Sequence, residues 1–238
     1  MRKSFSRACF AIAVILSVIG ALFLGFEKVA CDAGQYTLLQ DRLDLYDEIG
    51  VSREEMVPAM EAIAAYIRGE ADEYNRNVVM FGENRPLFNE RELLHMVDVA
   101  GLFRVERFAR SVCLAEAALF AAVGLWLGRG HLARCMGRGL LYGFGVLSLI
   151  AGFFAVLFWA LDFEEIFIEF HHVFFTNDLW QMYYDTDAMI RMFPQPFFET
   201  LVSLILVKMG QYAVVCLLLW AGLSLLLHIL SRKPHETR

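Results

Sequence analysis

The sequence predicts an all-α integral membrane protein with four transmembrane helices and an outer, mostly helical cap. Three observations lead there. Of the 238 residues, 58% are hydrophobic, against roughly 45–50% in soluble domains. The excess is gathered into four runs, each near the ~20 apolar residues that a bilayer crossing needs. The segments flanking those runs then sort by charge, basic on one side and acidic on the other, as membrane insertion requires.

The first run, ACFAIAVILSVIGALFLGF from Ala8 to Phe26, has 19 residues and no charge. It exceeds the apolar core of a cleaved signal, about 7–15 residues. Cys31 after Val29-Ala30 is faintly like a lipoprotein cleavage site, but Lys28 stands where such a site wants an aliphatic residue. We therefore expect this run to stay as a helix. The second run extends from about Phe108 to Gly128, the third from Gly139 to Leu161, and the fourth ends near Leu230 after starting between Phe197 and Met209. The expected division is 1–26, 27–107, 108–161, 162–198 and 199–238. None of the five cysteines forms a CxxC pair and three lie in apolar runs, so neither a disulfide framework nor a cysteine zinc site is expected.

Charge sets the orientation. The amino terminus has Arg2, Lys3 and Arg7, the link between the second and third runs has Arg129, Arg134 and Arg138, and the carboxyl tail has Arg232, Lys233 and Arg238. Four crossings put all three on one side, which the positive-inside rule makes cytoplasmic. The two outer segments are acidic. Residues 27–107 hold 17 acids against 9 bases, and residues 162–198 hold 7 against 1. With no basic outer patch, and with inner segments too short for a binding domain, nucleic acid is excluded as a partner.

Within the outer segments, residues from Gln40 to about Arg68 read as helical. Ser52 and Glu55 have the spacing of a capping box, and Val57, Met60, Ile63, Ala64 and Ile67 form one apolar stripe. Gly82, Asn84 and Pro86 make residues 81–88 a loop. Asn89 and Glu92 can cap the next helix, in which His95 and Asp98 share a face. Asp98 is thereby placed to hold one nitrogen of the His95 ring and orient it. In FHHVFFTNDLW, 170–180, phenylalanine and tryptophan suit a membrane–water boundary. If that segment is helical, Phe167, His171 and Phe174 share a face and His172 points elsewhere. Asn177-Asp178 reads as a turn or cap, and Pro194 and Pro196 stop one helix and start the next. Glu116 and Lys208 lie in or near apolar runs, where a charge faces a partner or a cavity.

ERELLHMVDV at 90–99, FHHVFFTNDLW at 170–180 and DAMIRMFPQPFF at 187–198 together resemble the lipoprotein intramolecular transacylase family of bacterial integral membrane proteins. The resemblance implies four crossings and an acyl transfer in the bacterial cell membrane. The substrate it implies is a diacylated bacterial lipoprotein, whose sn-2 acyl chain moves from glycerol oxygen to the α-amine of the amino-terminal cysteine. It also implies that His95 and His171 are catalytic, with membrane lipid as surroundings and no cofactor. This chain departs from the family pattern at Ala100, where lysine is usual, and at Tyr183-Tyr184, where Asp-Pro is usual.

Residue chemistry suits that reaction. The nucleophile is an α-amine of pKa about 7.7–8.0, so a neutral histidine can take its proton during attack. His171, set among phenylalanines, is the expected base, because burial disfavours an imidazolium. His95, oriented by Asp98, is the expected donor to the oxyanion or to the departing oxygen. Asn177, Asp178 and Trp180 are candidates for shaping the substrate cup. Two other classes remain open. A metal-dependent hydrolase could draw on His95, His171, His172, Asp98 and Asp178, and a sensor or transport component could draw on Glu116 and Lys208.

Overall fold

A computed structural model describes residues 1–231, with backbone alone at residues 157–159. The basic tail at Arg232, Lys233 and Arg238 lies outside the described residues. In chain order the elements are α1 Arg2–Ala30, α2 Ala33–Leu43, α3 Tyr46–Ile49, α4 Arg53–Arg68, β1 Asn77–Met80, β2 Glu83–Pro86, α5 Glu90–Leu127, α6 Leu132–Ala160, α7 Phe163–Phe174, α8 Ala188–Met192 and α9 Gln195–Leu230. α1, α5, α6 and α9 are long and apolar enough to cross a membrane.

The chain forms two compact units. Among the described residues the first comprises 1–25, 108–160 and 209–231. α1 is its most buried span, whereas α6 and α9 present exposed leucine, valine and phenylalanine side chains, as lipid-facing helices do. Small residues bring α6 onto α1. A Cβ at Gly139 would stand 2.5 Å from Phe10 Cβ, and one at Gly143 would stand 3.0 Å from Val14. That four-residue spacing of small residues is the usual means of close helix approach in lipid. Polar side chains add hydrogen bonds where no water competes. Ser6 Oγ donates to the Gly124 carbonyl at 2.9 Å, and Trp220 Nε1 donates to Ser17 Oγ at 2.8 Å.

The second unit comprises residues 26–107 and 161–208. α2 packs on α4 and α3 on α8, around buried Leu39, Ile49, Met56, Met60, Met80, Leu87, Met192 and Phe197. The expected single helix from Gln40 is broken twice, at Asp44 and Gly50, both left-handed. The apolar stripe of α4 is as expected at Met60, Ile63, Ala64 and Ile67, but it starts at Met56 and Ala59 rather than at Val57. Ser52 sits at the N-cap without a side-chain bond. Its partner in the expected capping box is committed elsewhere, since Glu55 Oε2 accepts from the Val79 N–H of β1 at 3.1 Å.

The expected loop at 81–88 is the second half of an antiparallel hairpin, in which Met80 pairs with Glu83. Phe81 and Gly82 form its two-residue turn with φ of 50° and 86°. Two positive φ angles give the turn whose twist matches paired strands. A phenylalanine in that position hid the hairpin from a composition reading.

Candidate active site

Two helix starts place the central side chains, both in the second unit. At α5 the predicted cap forms. The Asn89 N–H donates to Glu92 Oε2 at 2.7 Å and the Glu92 N–H to Asn89 Oδ1 at 3.1 Å. The other oxygen of Glu92 accepts from the Met189 N–H at 2.6 Å, which ties the start of α8 to that of α5. Arg91, His95 and Asp98 then fall on one face of α5, by helical spacing. At α7 the Asp162 N–H donates to Glu165 Oε2 at 3.3 Å, and His171 arrives buried in the third turn while His172 stays exposed.

The two helices bring His95 and His171 together. Their ring centroids are 6.1 Å apart with planes 30° from parallel. Phe175 stands edge-on to His95 at 5.3 Å and 5.5 Å from His171. Trp180 stacks on His171 at 4.7 Å, and the Phe167 ring lies 4.3 Å away. Only 8% of His95 and 7% of His171 are exposed, so both rings are in a largely apolar, aromatic setting.

The hydrogen bonds set their states. His171 Nδ1 lies 2.6 Å from the Phe167 carbonyl. A carbonyl only accepts, so Nδ1 carries the hydrogen and the lone pair of the neutral ring is on Nε2. Burial lowers the pKa of His171, opposed by that hydrogen bond and aided by His172. His95 sits in the charged first half of α5, ahead of the apolar run. Burial, aided by neighbouring His171 and opposed by Asp98, brings its pKa down to about 4. Both rings are therefore neutral near pH 7. His95 Nδ1 is buried with no hydrogen-bond partner.

Asp98 does not hold that nitrogen, contrary to the expectation from spacing. Asp98 Oδ2 instead accepts from Asn177 Nδ2 at 2.9 Å, because the loop after α7 crosses the same face of α5. Asn177 Oδ1 accepts in turn from the Leu179 N–H at 3.0 Å, the turn that the sequence suggested. Asp178 takes part through its backbone, where Arg91 Nη2 donates to its carbonyl, and its side chain is exposed. His172 lies off the face of His171, 3.9 Å from Glu169 and edge-on to Trp180 at 5.4 Å.

Sequence reasoning missed two contributors. Arg91 clamps the loop, and its position one turn before His95 was the available signal. Asp187 is buried and accepts from Asn89 Nδ2 at 2.7 Å and from the Tyr183 N–H at 2.6 Å. It opens the DAMIRMFPQPFF motif, but its neighbours there gave it no role. Among the described residues no group of three or more His, Cys, Asp or Glu side chains is placed to hold a metal ion. Two neutral imidazoles in an aromatic enclosure, one with its Nδ1 bonded to a carbonyl and the other with its Nδ1 unpaired, form an arrangement able to move a proton.

A family described as "Lipoprotein intramolecular transacylase Lit" has a sequence model that matches residues 11–198. No curated protein matches the chain. Among solved structures, the membrane integral lipoprotein intramolecular transacylase Lit from Bacillus cereus is 18% identical, with a TM-score of 0.67 over 95% of this chain and 98% of that one. Forms of the same Bacillus cereus protein with a histidine replaced by arginine or by alanine each give a TM-score of 0.69 at 18% identity. They cover 95% and 94% of this chain, and 95% and 96% of their own. At that identity the likeness concerns the fold, and it is a membrane-integral fold. The family match extends over most of the sequence, including both histidine motifs, and the chain belongs to the lipoprotein intramolecular transacylase family, a family of acyltransferases.

Proposed function

We propose that this protein moves the sn-2 acyl chain of a diacylglyceryl-cysteine lipoprotein to the α-amine of the same cysteine, using His171 as general base and His95 as hydrogen-bond donor. One observation carries the reading. The imidazoles of α5 and α7 are 6.1 Å apart, with Nδ1 of His171 committed to a carbonyl. Nε2 of His171 is then the free lone pair that a base needs. The amine nitrogen attacks the ester carbon as its proton passes to that nitrogen. The carbon–oxygen bond to glycerol breaks, the glycerol oxygen takes the proton that His171 received, directly or by way of His95, and an amide replaces the ester. No water or further reactant is consumed.

His95 supports the oxyanion or the departing oxygen. Its buried polar atom without a protein partner suits a side chain whose partner is the substrate, since most buried polar groups in proteins are paired. Holding amine and ester of one molecule in a bent arrangement supplies a further ~7–11 kcal/mol. The loop held by Arg91 and Asp98 fixes Trp180 on the base. The acidic charge of residues 27–107 and 162–198 and the basic short segments support an active site on the extracytoplasmic side.

The test is expression in cells whose lipoproteins are diacylated only. Transfer leaves the mass unchanged, so the amino-terminal fragment is read by fragmentation and by amine labelling. The expected product has an N-acyl cysteine and a free glycerol hydroxyl. A labelled, free α-amine on intact diacylglyceryl cysteine overturns the reading.

A further inference from the structure

We infer that the cavity beside His171 holds the migrating acyl chain and that its volume selects chain length; this rests on the transacylase reading above. The cavity has a volume of ≈ 320 Å³. Two of its wall residues, Phe167 and Trp180, are the same residues that touch the His171 ring, at 4.3 Å and 4.7 Å. Two aromatic rings thus stand between the base and the cavity, each in contact with both. His171 does not itself line the space, so the chain that we place there passes from the base along the Phe167 and Trp180 rings.

The lining chooses the occupant. Ile168, Ile190, Phe193 and Phe198 are half-buried lining residues, and Phe198 packs on Phe167 at 5.3 Å. The polar lining residues Glu164, Gln181 and Gln195 are exposed, and Gln195 Nε2 is engaged with Glu199 at 2.8 Å. No lysine or arginine lines the space, so a phosphate headgroup would find no counter-charge. Glu164 would repel a carboxylate. A sugar or peptide would set most of its polar groups against the aromatic and aliphatic walls, which costs free energy. An uncharged hydrocarbon chain meets none of these objections.

The test compares diacylglyceryl-cysteine peptides that carry octanoyl or palmitoyl at the migrating position and palmitoyl at the other. The full chain is purified, and both substrates compete in one mixture. N-acyl product is followed by loss of amine labelling and assigned by fragmentation. Ile190→Trp and Ile168→Trp fill the cavity from two walls, while Phe198→Ala enlarges it. Filling should lower the palmitoyl-to-octanoyl ratio of kcat/KM by about tenfold, the effect of leaving about two methylene groups unburied, with octanoyl transfer retained. Enlarging should raise the same ratio. A ratio that stays at the wild-type value in all three variants overturns the acyl site while leaving the transacylase reading intact. Wild-type protein that makes no N-acyl product overturns the reading itself, and this site with it.

Discussion

Replacing His95 by leucine should abolish transfer and yet stabilise the protein, and acid should widen the gap. His95 Nδ1 is buried without a partner, and such a group typically costs about 1–3 kcal/mol. Leucine fills similar space without a polar atom. The variant should gain about 1 kcal/mol near pH 7, a rise in melting temperature of roughly 2–4 °C for a chain of this size. The folded protein holds the His95 pKa at about 4, below its ordinary 6.5. As pH falls, the unfolded chain therefore takes up the proton first. The stability due to a neutral His95 is complete above about pH 6.5 and is lost between there and about pH 4. At ~1.4 kcal/mol per unit, the loss is about 3 kcal/mol in wild type and nil in the variant. The contribution of His171 has the same direction in both proteins and cancels in the difference except for its coupling to His95, which the variant also removes. Thermal melting of the purified proteins in one detergent, followed by intrinsic fluorescence from pH 7 to pH 4, reads both effects. A variant less stable by about 2 kcal/mol near pH 7, the ordinary cost of a core substitution, would refute the argument that Nδ1 is kept for substrate. Parallel pH curves would refute the burial argument.

Three further outcomes are expected. Asp98→Asn keeps an acceptor for Asn177 and should retain most of the transfer rate, whereas Asp98→Leu or Asn177→Ala frees the loop and should lower kcat about tenfold or more; severe loss in Asp98→Asn would restore Asp98 as the group that orients His95. Trp180→Phe preserves a ring on His171 and should stay within several-fold of wild type, while Trp180→Ala should shift the acid limb of the kcat/KM profile as the base gains water and its pKa rises; unchanged profiles in both would count against that stacking as a control on the base. Gly139→Val forces a side chain into a space where a Cβ alone would stand 2.5 Å from Phe10, so melting should show a loss of about 1–3 kcal/mol, and an unshifted melt would argue against the close approach of α6 to α1.

The four apolar runs, the absence of charge between Ala8 and Phe26 and the basic short segments were enough to predict a four-helix membrane protein. Bilayer thickness and backbone hydrogen bonding leave a chain few other solutions. The cap at Asn89 and Glu92 and the buried stripe of α4 were also legible, since helix starts and helical faces depend on residues within four positions of one another. Ser52 with Glu55 had the same kind of local signal and failed, because Glu55 is used by a strand that only folding brings near.

What the sequence determined alone was the medium, the number of crossings and two histidine motifs too far apart for any local rule to relate. Tertiary structure decided that the two rings meet, that the carbonyl of Phe167 assigns the lone pair of His171 to Nε2, and that Asp98 serves the loop rather than His95. Periodicity reports which residues share a face. It cannot report what is laid across that face, and a hydrogen bond goes to whichever partner packing delivers within reach.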